Sequence, residues 1–299
     1  MSKKVPVRTS KNPYMIPTVP FEQYAPKYNK LFNLSCTDDG IVMAKWCNTE
    51  DNTKSAMWDQ PIHRAIGQLC FDVGQDVDAE VFILGGEGHD WLSTIHSTEK
   101  EDDEGRKWLS YEHMYYDGCN INDGLINAMH IPTIGVINGP GFHTEMAIMC
   151  DITLISDDAV ICDPHYYPSK MVPGDGIQVA FQQAMGVKKA NYAMWMCQKF
   201  TAEEAVAVGL ANEVVPKDKI YDRAMEIAKQ LLQAPRITRR ATADLLRRPW
   251  KKAWTDEGRL GFGYEMWAYM AESISHDGGG GVQDQMMKDM GATQEAHDA

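Results

Sequence analysis

The stretch HYYPSKMVPGDG sets His165 and Asp175 ten positions apart, in a segment whose prolines and glycines keep it out of a regular helix. Imidazole is the side chain whose unperturbed pKa, about 6.5, lets it take and return a proton near neutrality. A carboxylate against the ring fixes its tautomer and steadies the imidazolium that forms. Such a pair can activate water, and it can equally be a structural ion pair; spacing alone leaves both open. Other residues with chemistry are His143 and Glu145 in GFHTE, Trp58 and His63 in WDQPIH, and Glu265 in the aromatic-rich run GYEMWAYM. His63 sits on an apolar helical face beside Ile62 and Ile66, where a core histidine is the plainer reading.

The background to these groups is an acidic chain of 299 residues with a net charge of −13 and 44% hydrophobic residues. That is enough apolar material for a sizeable core. The charge excludes nucleic acid and anionic membrane surfaces as main partners. Seven cysteines, scattered and without a C-x-x-C pair, read as buried thiols of a reducing compartment. No apolar run approaches a membrane span and the N-terminus shows no secretory h-region, so a cytoplasmic location is expected. The basic run PRITRRATADLLRRPWKK reads as a solvated or subunit-facing surface.

The elements that must position the candidates follow from periodicity. Residues 1–30 read as an extended arm. LFNLSC and IVMAKWC flank TDDG as a hairpin. DQPIHRAIGQLCFDV reads as a helix and VFILGG as a buried strand. A partly helical stretch over 102–131 leads to the strand TIGVING, the short helix TEMAIMC, and the strands DITLIS and AVICD. Helices GIQVAFQQAMG, KKANYAMWMC and TAEEAVAVG follow, then the strand NEVVP and the helix KIYDRAMEIAKQLLQ. The expected layout is an α/β core over 31–230, a helical region over 231–275, and a flexible acidic tail over 276–299. The Met-rich stretches read as core packing, except QMMKDM in the tail. Motifs for mononucleotide, dinucleotide, zinc-protease and serine-hydrolase sites are absent from the sequence.

In this order, VFILGGEG, TIGVINGPG, TEMAIMCDITLIS, AVICDP and TAEEAVAVGLANEVV resemble the crotonase (enoyl-CoA hydratase/isomerase) superfamily over about residues 30–275. The resemblance implies an α/β spiral of repeated β-β-α units with a helical C-terminal region, assembled as a homotrimer or a dimer of trimers. Departures from the family pattern are informative. Coenzyme-A-using members carry A-G-x-D where this chain reads W-L-S-T-I-H, with Thr94 in the glycine position. Their glycine-rich turn is replaced by GFHTE. Glu145 matches the first of two hydratase carboxylates, and His165 occupies the second position.

HYYPSKMVPGDG is similar to the H-F-P-S-G-I-V-P-G-D-G signature of the 6-oxocamphor hydrolase and β-diketone hydrolase branch. That resemblance carries catalytic roles onto His165 and Asp175. Its H-P-E, W-x-x-x-x-H and H-E-A-L segments match His143, then Trp58 and His63, then Glu265. The activity implied is hydrolysis of a carbon–carbon bond in a β-diketone, cyclic by analogy. His165 would be the base, Asp175 its orienter, and His143 with amides near Ile95 the donors to developing negative charge. Glu265 with His63 would hold a water or protonate the enolate. Trp58, Ile95, Glu145 and Tyr166 are expected to contact substrate. The reaction asks for no metal or organic cofactor, since the second carbonyl is the electron sink. Two other readings stay open: a coenzyme-A thioester enzyme using Glu145, and a binding protein of the same fold without turnover.

Overall fold

The turn at Thr37–Gly40 closes the first hairpin: Gly40 takes φ +86, and a side chain there would meet the carbonyl of Asp78 at 2.3 Å. In the computed structural model, which describes residues 19–48, 50–95, 103–167, 169–272 and 281–293, a short helix α1 (Phe21–Tyr24) precedes this hairpin of β1 (Phe32–Cys36) and β2 (Ile41–Trp46). Most of the expected N-terminal arm lies outside the described residues. Helix α2 (Gln60–Gln75) opens on Asp59, whose carboxylate accepts the Ile62 N–H at 2.9 Å as an N-cap, with Pro61 in the first turn. It leads to β3 (Val81–Gly86), and α3 (Asp103–Trp108) then runs through wide π-type turns into α4 (Gly118–Asn122).

Next come β4 (Thr133–Ile137), α5 (Glu145–Ile148), β5 (Ile152–Ser156), β6 (Val160–Ile161), α6 (Ile177–Met185), α7 (Val187–Met196), β7 (Phe200–Thr201), α8 (Ala202–Val208) and β8 (Glu213–Val215). The main sheet has the order β1-β2-β3-β4-β5-β8, antiparallel only at the first pair, and β6 pairs with β7 in a small second sheet. A parallel sheet must be covered on both faces, which explains why all six residues of VFILGG are buried. Side chains alternate accordingly. Val81, Ile83, Ile134, Val136 and Leu154 meet Ile220, Ala224 and Ala228 of α9 (Ile220–Leu231). Phe82, Leu84, Ile137 and Ile155 face the larger core, which includes Ile62, Ile66, Leu69 and Val73 of α2.

The C-terminal helices are α10 (Arg236–Leu246), α11 (Arg248–Ala253) and α12 (Arg259–Ala271), and arginines of α10 and of its junction with α11 tie them to the edges of β3 and β5. Here the structure departs from a solvated basic surface. Arg247 is 0% exposed; it donates to the carbonyl of Ile131 at 2.9 Å, to that of Met129, and to the Asp151 carboxylate. Arg239 is also buried and pairs with Glu80, which Arg236 contacts as well. A charge survives burial only when paired in this way, and the acids that pair these arginines come from distant parts of the chain. The tail departs from expectation over 281–293 too. It forms α13 (Gly281–Asp289), buries Met287 and Met290 in the core, and the Thr293 N–H donates to Asp90 Oδ1 at 3.0 Å. Of the seven cysteines, Cys47, Cys70, Cys119, Cys150 and Cys162 are buried and Cys36 is exposed. Among the described residues, no helix is long and apolar enough to cross a membrane.

Candidate active site

The turn after β4 reads Asn138-Gly139-Pro140-Gly141, and it is locked to the loop after β3. Asn138 accepts the Gly86 N–H at 3.2 Å and donates to Asp90 O at 3.2 Å; Phe142 N–H donates to Leu92 O at 2.9 Å. Side chains at Gly139 or Gly141 would strike the carbonyls of His89 at 1.9 Å or Leu92 at 2.5 Å, so glycine is what allows this contact. The chain then turns sharply at His143, which has φ +55, a costly left-handed conformation for a histidine. Its ring lies against Trp58 at 4.2 Å between centroids, and the Trp58 N–H donates to Thr94 O at 2.8 Å beside Ile95. His63 packs edge-on against Trp58 as well, at 5.0 Å.

The second half of the site is the 163–176 loop. It folds back on itself through Met171 N–H to His165 O at 2.7 Å, Ser169 N–H to Pro164 O at 3.0 Å, and a left-handed Lys170 at φ +57. Asp175 precedes the left-handed Gly176 that starts α6, and its Oδ1 accepts the Ile177 N–H at 3.1 Å. Asn122 holds the Asp175 carbonyl at 2.8 Å. Gly174 lies flat on α12: a Cβ there would meet Gly261 O at 2.2 Å and the Glu265 Cβ at 2.9 Å. This close approach brings Glu265 to the loop.

Six ionisable side chains converge. Asp175 Oδ2 lies 2.9 Å from His143 Nδ1 and 3.4 Å from His165 Nε2. Glu265 Oε1 is 3.9 Å from the same His165 nitrogen. Glu145 Oε1 is 3.1 Å from His143 Nδ1, behind the ring. A carboxylate not anticipated from the sequence, Asp163, completes the set with Oδ1 at 2.6 Å from His165 Nδ1. Its signal was present in the tripeptide D-P-H, two positions before the histidine, a spacing that H-T-E repeats in reverse.

The electrostatics follow from burial and proximity. Burial opposes a charge on His165, but the Asp175 and Asp163 carboxylates outweigh it and hold the imidazolium well above its ordinary range. His143 is raised to about 9 by Glu145 and Asp175 against the same burial cost. Burial works against the Asp175 charge as well, yet His165 and His143 keep its carboxyl well below the usual range. Glu265 is pushed up to about 8, chiefly by burial and also by Asp175, with the His165 charge pulling the other way. Burial, then Asp175, raise Glu145. At neutral pH the centre therefore holds charged imidazoles, an ionised Asp175 and a protonated Glu265.

A cavity of about 70 Å³ opens among these groups, walled by Trp58, His63, Ile95, His143, His165 and Glu265, with Met114, Met171 and Phe262 as apolar wall not foreseen. Tyr166 does not join this wall; it is 48% exposed and packs edge-on against Trp195. Glu145 does not line the cavity either; its carboxylate meets His143 Nδ1 at 3.1 Å. A larger cleft of about 560 Å³ lies elsewhere, between Gly40 and Arg236, and holds none of the candidate residues. Among the described residues, the group whose spacing could hold a metal ion is His143, Glu145 and Asp175, whose donor atoms lie within 4.8 Å of one another. Those atoms are the ones already in contact with each other.

A family profile described as enoyl-CoA hydratase/isomerase matches residues 97–260. The chain belongs to the enoyl-CoA hydratase/isomerase family. Among solved structures of this fold, it is similar to a β-diketone hydrolase from the cyanobacterium Anabaena sp. PCC 7120 bound to (S)-3-oxocyclohexyl acetic acid. The identity is 26%, the TM-score 0.75, and the match covers 84% of this chain and 98% of that one. An enoyl-CoA hydratase/isomerase from Mycobacterium paratuberculosis shares the fold at 19% identity and a TM-score of 0.69, covering 87% of this chain and 98% of that one. Among curated proteins, the hydroxycinnamoyl-CoA hydratase-lyase of Pseudomonas fluorescens is 25% identical over 199 residues, 64% of this chain and 71% of that one.

Proposed function

We propose that this member of the enoyl-CoA hydratase/isomerase family is a hydrolase that splits a carbon–carbon bond of a compact β-diketone by a retro-Claisen reaction. The observation that carries the reading is the single carboxylate, Asp175, lying between His143 and His165 on one cavity wall, with Glu265 beside it. The likeness to a β-diketone hydrolase supports it.

Each step then has an owner. A water near His165 Nε2 gives its proton to the His165–Asp175 pair and adds to one carbonyl. The ring of His143, held from behind through Nδ1, donates to the oxygen on which negative charge collects. The carbon–carbon bond breaks, its electron pair passes into the enolate of the second carbonyl, and Glu265, protonated below about pH 8, supplies the proton to carbon. The product is a keto acid. Because His165 is held largely as imidazolium, the competent base form grows as pH rises above neutral. The thioester alternative needs Glu145 at the substrate, whereas that side chain is engaged behind His143.

The cavity sets a condition. At about 70 Å³ it is smaller than the roughly 150 Å³ that admits benzene elsewhere, so Met114, Met171 and Phe262 must shift outward for a six-membered ring.

Incubation of the purified protein with a panel of cyclic 1,3-diketones tests the reading. Loss of the diketone absorbance with one acid released per turnover, reduced about 100-fold or more in folded His165→Ala and Asp175→Asn, is expected. Turnover of acyl-CoA thioesters with none of the diketones would overturn it.

A further inference from the structure

We propose that Asp163, and not Asp175, is the positioning residue of His165. It directs the Nε2 of that ring into the cavity and leaves Asp175 shared between the two imidazoles. The role as stated rests on His165 acting as a base, but the geometry behind it stands without that reading.

Asp163 meets His165 from two directions. Its Oδ1 lies 2.6 Å from the ring Nδ1 and accepts the backbone N–H of the same residue at 3.1 Å. Pro164 between them has a fixed φ and restricts Asp163 before it, so the tripeptide carries the carboxylate and the ring as one preformed unit. The Asp163 side chain is 1% exposed, and its Oδ2 is buried without a hydrogen-bond partner. Both hydrogen bonds of this buried carboxylate go to His165. Asp175 is divided instead: Oδ1 accepts Ile177 N–H, while Oδ2 makes no hydrogen bond and lies at ion-pair distance from both rings, 2.9 Å from His143 Nδ1 and 3.4 Å from His165 Nε2.

Tautomer logic separates the two assignments. With Asp163 as orienter, the neutral ring keeps its proton on Nδ1 and presents a lone pair at Nε2, the nitrogen nearest Asp175 and Glu265 on the cavity wall. With Asp175 as orienter, the proton would sit on Nε2 and the lone pair on Nδ1 would point at the Asp163 carboxylate, away from substrate. Only the first arrangement gives a base that faces the cavity. The groups bearing on this ring are Asp163 and Asp175 on its own loop, Glu265 of α12, His143 at a ring separation of 6.0 Å, and Cys197 after α7.

The test reads the ring itself. Nitrogen-15 NMR of the whole protein across pH, with His165 assigned through His165→Gln, reports tautomer and titration. The neutral wild-type ring is expected to carry its proton on Nδ1. In Asp163→Asn the titration midpoint should fall by about 1–3 pH units and the Nδ1–H share should drop. Against a substrate of the wild type, kcat should fall about 100-fold with KM nearly unchanged, and the acid limb of the pH profile should move to lower pH. An Nε2–H tautomer in the wild type overturns the assignment without any variant, which covers the case where Asp163→Asn does not fold. An unchanged midpoint and pH profile in folded Asp163→Asn overturns it as well. A protein that cleaves no diketone yet shows the expected tautomer and shift would remove the proposed reaction and leave the positioning role intact.

Discussion

The Nδ1 of His143 and the Oδ2 of Asp175 lie 2.9 Å apart, joining the turn before α5 to the start of α6. This contact and that of Glu145 with the same nitrogen contribute most to folding while the imidazole is charged. His143 is raised from 6.5 to about 9, so its contribution is complete below about pH 6.5 and is lost as pH climbs through 9. Thermal unfolding followed from pH 6.5 to 10 should show the wild type losing stability, by about 3 kcal/mol at most from this group. His143→Gln should start lower and stay flatter over that window. A variant with the same slope as the wild type would detach the contact from stability.

The rate should be bell-shaped in pH. The rising limb reports deprotonation of the His165–Asp175 pair; the falling limb reports loss of the proton from Glu265 above about 8. Because these groups interact, the two midpoints belong to the cluster and not to single residues. Glu265→Gln keeps a hydrogen-bonding side chain but cannot deliver a proton to carbon. It should lower kcat about 100-fold and abolish the alkaline limb. An intact alkaline limb in that variant would assign the acid elsewhere.

The strands and helices were legible because their causes are local. TDDG makes a turn wherever it stands between two apolar runs, and Asp59-Gln60-Pro61 caps a helix by its own chemistry. His165, Asp175, His143 and Glu265 were legible as a set through the motif resemblance, and the structure brings them together. Their pairing was not. Which nitrogen of His165 meets which carboxylate depends on the left-handed turn at Lys170 and the flat contact of Gly174 on Gly261, and neither leaves a mark in composition or period. The same holds for Arg239 and Arg247, whose partners Glu80 and Asp151 are remote in sequence. Tyr166 was expected to contact substrate, but it is half exposed and its ring packs on Trp195.

Gly174 should be intolerant of even a methyl group. The Cβ of alanine would sit 2.2 Å from Gly261 O, a backbone atom that cannot swing aside, and 2.9 Å from Glu265 Cβ. Overpacking of this kind costs about 1–3 kcal/mol, relieved by moving the loop off α12. Asp175 follows directly in the chain, so the displacement should separate it from His165 and lower kcat at least about tenfold in protein that still folds. Chemical denaturation and steady-state kinetics on Gly174→Ala read both effects, and full activity at wild-type stability would show that the loop has slack.

Arg247 tests what fixes the C-terminal helices over the site. It is 0% exposed, and its guanidinium serves the Met129 and Ile131 carbonyls together with the Asp151 carboxylate. Asp151 also receives the Thr133 N–H at 2.8 Å and the Thr133 hydroxyl at 3.1 Å, so the entry to β4 is tied to the clamp. Removing the cation alone leaves a part-buried anion and two buried carbonyls without their donor. Arg247→Met should therefore cost about 3–5 kcal/mol in the denaturant midpoint. Adding Asp151→Asn removes the stranded charge while keeping an acceptor oxygen for Thr133. The double variant should thus be more stable than Arg247→Met, although Asp151→Asn alone is destabilising. If the two substitutions simply add, the Arg247–Asp151 pair is not coupled.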